Sequence, residues 1–155
     1  AAAAAALVGQ NLGRRRSDRA ECVTVICNRL AMTMAVLMVA GLILFRAPLI
    51  QMFTADPEII RLGSWIMILF ALSVPSLSAM TVYGGALRGA GDTRLIAVYA
   101  LVSTTIIRPA LSWLLCYPVG LGVIGPWIGL LVDFVLRFVL CRRRYQTGLW
   151  KQRVY

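Results

Sequence analysis

Four long stretches of this chain carry almost no charge, and they alternate with short stretches rich in arginine, glycine and proline. The longest uncharged run, Leu62 to Leu87, has 26 residues. As a helix rising about 1.5 Å per residue, it is long enough to cross a hydrocarbon core of about 30 Å. With its flanks it defines a span over about 60–86, and three others fall at about 20–45, 93–117 and 121–141. Those three carry charge: Glu21 and Arg29 in the first, Arg108 in the next, Asp133 and Arg137 in the last. A rival division would make Pro109 to Val132 one uncharged span, but it would place Tyr117-Pro118-Val119-Gly120-Leu121-Gly122 in mid-membrane. Lipid offers freed backbone groups no partners, so a tight turn is expected there instead. The pattern predicts an all-α, polytopic transmembrane helix bundle: the end of one helix over 1–12, four complete spans, and a tail over 142–155.

Composition narrows the class. Of 155 residues, 60% are hydrophobic and 14% charged, against roughly 25% charged in average soluble domains. Together with a mean hydropathy of +0.80, this excludes a soluble enzyme domain and a disordered tail. The net charge is +10, from 16 basic and 6 acidic residues, with no histidine. A nucleic-acid binder would also be basic, but could not keep so apolar a chain soluble without a much larger core.

The placement of the charge supplies a simpler reason. With four spans, eleven basic residues fall on one side: Arg14, Arg15, Arg16, Arg19, Arg88, Arg94, Arg142, Arg143, Arg144, Lys151 and Arg153. The other side has only Arg46 and Arg61. By the positive-inside rule the basic loops and the C-terminus are expected in the cytoplasm, in a multi-pass protein of the cell membrane. Topology accounts for the charge without nucleic acid. The absent initiator methionine and the helical opening Ala1 to Ala6 read as a piece of something longer. No signal peptide is visible, since the Arg14–Arg16 cluster follows an apolar run. The four cysteines show no metal-binding or redox spacing.

Local motifs mostly predict helix ends. Asp56-Pro57-Glu58 marks a start: a capping carboxylate, a proline whose missing N–H costs nothing at the first position, and an acid facing the helix dipole. In the loop Gly84 to Arg94, glycine is expected to end one helix in a left-handed cap and Asp92 to cap the next. A phosphate-cradling loop is disfavoured, because no GK[ST] and no preceding strand are present. Arg88, Gly89, Gly91 and Asp92 form the motif of this loop. Pro75 lies mid-span and is expected to kink the helix near the Ala71 carbonyl. Ser73, Ser76, Ser78 and Thr81 around it either line a cavity or satisfy the backbone. Gly125 and Gly129 form a GxxxG pair beside Trp127, suited to close helix packing.

Charges inside spans are expensive, so Arg108, Asp133 and Arg137 are functional candidates. Arg108 sits about 21 Å from Arg94 along the helix, beyond the midplane. Asp133 and Arg137 lie four residues apart on one face, so they can pair while Arg137 reaches toward the cytoplasmic surface. No nucleophile constellation can be built without histidine, and catalysis is not expected.

In order along the chain stand Val8-Gly9-Gln10-Asn11-Leu12-Gly13, Pro48-Leu49, Phe53-Thr54 with Asp56-Pro57-Glu58, Leu87-Arg88-Gly89-Ala90-Gly91-Asp92-Thr93-Arg94, Arg108-Pro109, and Gly122 to Gly125-Pro126-Trp127. This order resembles the multidrug and toxic compound extrusion (MATE) transporters over essentially the whole chain. It is similar to the later part of the second lobe, from the end of the eighth helix through the twelfth.

The resemblance implies a twelve-helix secondary antiporter with two six-helix lobes. Such a protein exports small amphipathic or cationic compounds by alternating access, in exchange for Na+ or H+. Its partners would be the bilayer, its substrates, and the N-terminal lobe and remaining second-lobe helices; no cofactor beyond the coupling ion is implied. Two departures stand out. Relatives often have Gly-Ala-Gly-Asp where this chain has Gly13-Arg14-Arg15-Arg16. One branch carries a carboxylate eleven residues before the loop arginine, where this chain has Leu77, so the coupling-ion site is expected outside these residues. Two alternatives stay open: a lipid or lipid-linked saccharide flippase of the same superfamily, and a non-transporting membrane anchor subunit. Four spans and part of a fifth are not expected to transport alone.

Overall fold

The computed structural model describes residues 1–152; Arg153, counted above with the basic side, lies outside the described residues. Among the described residues the chain is helical throughout, without strands. Helix α1 (Ala2–Gly13) leads to α2 (Ser17–Leu44), a short α3 (Arg46–Gln51) and the long α4 (Pro57–Gly89). Helix α5 (Thr93–Val102) then continues through a π-helical turn, Ser103–Ile107, into α6 (Arg108–Cys116). A 3-10 turn (Gly122–Ile124) opens α7 (Gly125–Gln146), and a second (Leu149–Gln152) follows it. Four helical units are long and apolar enough to cross a membrane: Ser17–Leu44, Pro57–Gly89, Thr93–Cys116 and Gly122–Gln146.

The ends of these helices follow local chemistry. At the start of α4, Asp56 Oδ1 accepts from the Glu58 amide at 2.9 Å, with Pro57 beside it. The expected turn between the last two spans forms at residues 117–121, with Gly120 at φ +73°. At its other end α7 runs beyond residue 141, so Arg142, Arg143 and Arg144 occupy its last turns, where cations complement the helix dipole.

Two turns at the basic end share one geometry. After α4, the amides of Gly91 and Asp92 reach back to the carbonyls of Arg88 and Leu87, with Gly91 left-handed at φ +83°. After α1, Arg15 and Arg16 reach back to Leu12 and Asn11 in the same pattern. Both are Schellman caps, but the left-handed position of the first turn is held by Arg15 at φ +56°. An arginine there carries about 1–2 kcal/mol of steric strain that glycine lacks.

Helix α4 is the hub: α1, α2 and α7 pack on it, while α6 packs chiefly on α7 and α5 makes fewer contacts. Small residues make the close approaches. A Cβ added to Gly85 or Gly89 would meet backbone atoms of Ala1 or Ala5, and one on Gly9 would meet the Gly89 carbonyl. The alanine-rich α1 therefore seats directly on a Gly85–Gly89 groove of α4. Gly125 and Gly129 do the same for α6 at Cys116 and Ser112, as their spacing predicts. Along the α4–α7 seam, aromatic contacts join Phe70 to Trp127 and Tyr83 to Phe138 and Tyr145. At the basic end Val8, Leu12, Ala20, Ala86, Leu87 and Ala90 pack around the buried Trp150, whose indole donates to the Tyr145 carbonyl at 2.8 Å.

Two substitutions should move stability in opposite directions. Arg15→Gly is expected to raise the thermal unfolding midpoint in detergent by relieving roughly 1 kcal/mol of strain. Gly89→Ala is expected to lower it, since overpacking costs about 1–3 kcal/mol. The same sign for both would contradict this description of the two turns.

Candidate functional site

The three charged functional candidates, Arg108, Asp133 and Arg137, separate into a satisfied cluster and a lone cation. The cluster is built on one turn of α7. Asp133 is fully buried, at 0% exposure, and its carboxylate receives Arg137 twice: Nε at 3.1 Å on Oδ1 and an Nη at 2.8 Å on Oδ2. The i, i+4 spacing brings the two together, as the sequence predicts. The structure adds partners from the neighbouring span. Ser103 Oγ donates to Asp133 Oδ1, and Thr104 Oγ1 accepts from Arg137 Nη2 at 2.6 Å.

Both partners lie in the π-helical turn. Its defining bond runs from the Arg108 amide to the Ser103 carbonyl, five residues back. Pro109 follows directly and contributes no N–H, so the ladder here is already one donor short. The widened turn is where the chain departs from α-helix, and its first two side chains both engage α7. In a regular helix consecutive side chains diverge by about 100°. Ser103, Thr104, Asp133 and Arg137 thus form a clasp between the third and fourth spans. Sequence reading paired Asp133 with Arg137 but missed the two hydroxyls; Arg108-Pro109 was the signal that the helix just before it would be irregular.

Arg108 stands apart. It is half-buried at the start of α6, and its guanidinium makes no hydrogen bond or ion pair among the described residues. Eight residues separate it from Cys116, about 12 Å from that end of the span. A guanidinium at such depth needs a counter-charge, water or a route to the interface.

Pro75 is half-buried within an α4 that remains helical on both sides of it. The surrounding hydroxyls mostly serve the backbone. Ser73 donates to the Phe70 carbonyl at 2.6 Å and Thr81 to that of Ser78 at 2.7 Å, while Ser78 reaches the Ala31 carbonyl of α2 at 3.5 Å. Of the two readings open for this cluster, backbone satisfaction describes these three, and Thr81 also lines a cavity between α4, α5 and α7.

In the loop motif, the expected side-chain cap by Asp92 is not made. Its carboxylate is buried and instead accepts from Arg144 Nε at 2.7 Å, tying the α4–α5 loop to the end of α7. Gly91 is the left-handed cap, whereas Gly89 serves the contact with α1. Arg88 folds back, its Nε donating to the Gly84 carbonyl at 3.1 Å. Among the described residues no group of three or more carboxylates or thiols gathers in a way that could hold a metal ion.

A bundle with four helical units long and apolar enough to cross a membrane, and a buried carboxylate–guanidinium pair held between two of them, defines a polytopic α-helical membrane protein. A sequence profile of the MatE family matches residues 1–114, and the chain belongs to that family. It is 31% identical over 110 residues to a probable multidrug resistance protein NorM of Thermotoga maritima, covering 71% of this chain and 24% of that protein. A probable NorM of Shewanella oneidensis is 31% identical over 154 residues, covering 96% of this chain and 33% of its own length. The uncharacterized transporter YisQ of Bacillus subtilis is 28% identical over 149 residues, 95% of this chain and 32% of that protein. The chain thus spans between a quarter and a third of the length of these relatives.

The clasp predicts a non-additive cost. Asp133→Ala leaves the Arg137 charge unpaired and is expected to cost about 3–5 kcal/mol of stability, as when one partner of a buried pair is removed. Removing both charges, as Asp133→Leu with Arg137→Leu, is expected to recover most of that loss. Thermal unfolding in detergent reads both, and a double variant as unstable as the sum of its singles would contradict the pairing.

Proposed function

We propose that this chain is the later part of the second lobe of a MATE-type efflux transporter, from the end of the eighth helix through the twelfth. The observation that carries this reading is the family match across α1 to α6, in relatives of which two are described as multidrug resistance proteins. The complete protein would export small amphipathic or cationic compounds in exchange for Na+ or H+, with its basic loops and C-terminus in the cytoplasm. The positive-inside bias supports that orientation.

We assign the charges different parts in such a transporter, supported by the partners each one has. Asp133 is committed to Arg137 and Ser103, so it holds spans together and is not the coupling-ion site. The Arg108 guanidinium has no partner among the described residues, and we assign its counter-charge to another part of the transporter. Leu77 occupies the position at which one branch of the family carries a carboxylate, which supports a coupling site elsewhere in the transporter.

The test is transport by the full-length parent in liposomes. Accumulated cationic dye is expected to leave when an ion gradient is applied, and Arg108→Ala is expected to slow that efflux without lowering protein levels. Residues 1–155 alone are expected to give no flux. Dye movement that ignores the gradient in the full-length protein would contradict the reading.

A further inference from the structure

Between the Asp92 loop at its start and the clasp at its far end, helix α5 makes few contacts with α4 and α7. The other half of the same span is held tightly, because Gly125 and Gly129 let α6 lie against α7 and the clasp fixes the π-helical turn. Beyond the clasp α5 stands off, and a cleft of about 160 Å³ opens between α4, α5 and α7. It is lined by Met80, Thr81, Gly84 and Arg88 of α4, by one face of α5 at Ile96, Tyr99 and Ala100, and by Arg137 and Cys141 of α7.

Two guanidiniums therefore face one cleft, and the carboxylate beside it, Asp133, neutralises only one of them. Neither is saturated. Arg88 spends Nε on the Gly84 carbonyl, and its two terminal nitrogens have no partner among the described residues. Arg137 spends Nε and Nη2, leaving Nη1. The cleft thus offers at least one uncompensated positive charge and several free donors, framed by the apolar side chains of Met80, Ile96 and Ala100.

Depth gives the occupant a shape. Arg88 lies one residue from the end of α4, at the level of the basic loops. Arg137 lies nine residues before the end of α7, about 13 Å deeper. On the outside of α5, Val98 and Leu101 are exposed, as a surface that meets acyl chains would be. An anionic head at the interface, with a polar neck and an apolar body below it, fits that gradient. Basic pockets between transmembrane helices at the cytoplasmic side recognise anionic head groups by this arrangement of charge.

We propose that this cleft binds the phosphodiester head of an anionic phospholipid from the adjoining leaflet. Arg88 holds the phosphate, Arg137 Nη1 donates to an oxygen deeper in the lipid, and the first part of the acyl chains lies along Ile96, Ala100 and Met80. A single lipid here would wedge α5 against α4 and α7. The inference requires that the helices span a membrane and is independent of what the parent protein transports.

Tyr99→Trp places a reporter in the cleft of the full-length parent. In phosphatidylcholine vesicles doped with brominated phosphatidylglycerol, the added tryptophan is expected to be quenched several-fold more than with brominated phosphatidylcholine. Adding Arg88→Gln is expected to abolish the preference, and inorganic phosphate is expected not to compete. Equal quenching by the two lipids, or none, would overturn the proposal, as would displacement by inorganic phosphate, which would indicate a free-anion site. Native mass spectrometry of the protein without the reporter gives a second reading: phosphatidylglycerol should survive delipidation, and Arg88→Gln should lose it. Retention unchanged in that variant would also overturn the assignment.

Discussion

A carboxylate buried within an apolar helix must be neutralised by its own protein, because hydrocarbon supplies neither water nor counter-ions. Asp133 meets that demand with three hydrogen bonds, two from Arg137 one turn away and one from Ser103 on the neighbouring span. The same constraint shapes the rest of the molecule. Serine and threonine hydroxyls return to backbone carbonyls, helices close with Schellman caps, and the buried Asp92 takes an arginine from the end of α7. A buried ion pair is weak evidence for net stability, since desolvation can cancel attraction. Its contribution here is geometric: it fixes which face of the third span meets the fourth.

Close packing completes the arrangement. Between transmembrane helices the hydrophobic effect offers little, so association relies on backbones approaching closely over glycine and alanine. Two such seams hold this bundle, α1 on the Gly85–Gly89 groove of α4 and α6 on Gly125–Gly129 of α7. Between them lies α5, held at one end by the clasp and at the other by the loop of Asp92. The span is thus anchored at three levels and open between two of them, and the cationic cleft lies in that opening.

Much of this was legible in the residues. Uncharged runs locate the spans because a membrane sets a minimum apolar length, and Asp56-Pro57-Glu58 marks the start of α4 because capping is local chemistry. The pairing of Asp133 with Arg137 and the close approach at Gly125 and Gly129 follow from helical spacing alone. What was hidden required knowledge of neighbours. Asp92 reads as a cap until Arg144, 52 residues away, is brought beside it. Gly89 reads as part of a turn until Ala5 is found against it. Ser103 and Thr104 look like ordinary span residues until the π-helical turn beside Pro109 directs both at α7. Spacing rules describe one helix at a time, and these contacts join two.

The central claim is that Asp133 holds the π-helical turn of the third span in place. Amide hydrogen exchange over residues 101–109, compared between the parent protein and its Asp133→Asn variant in detergent, tests it most directly. The account predicts faster exchange in that segment of the variant, with protection of residues 126–131 in α7 unchanged because glycine packing holds them independently. Identical exchange over residues 101–109 in the two proteins would contradict it.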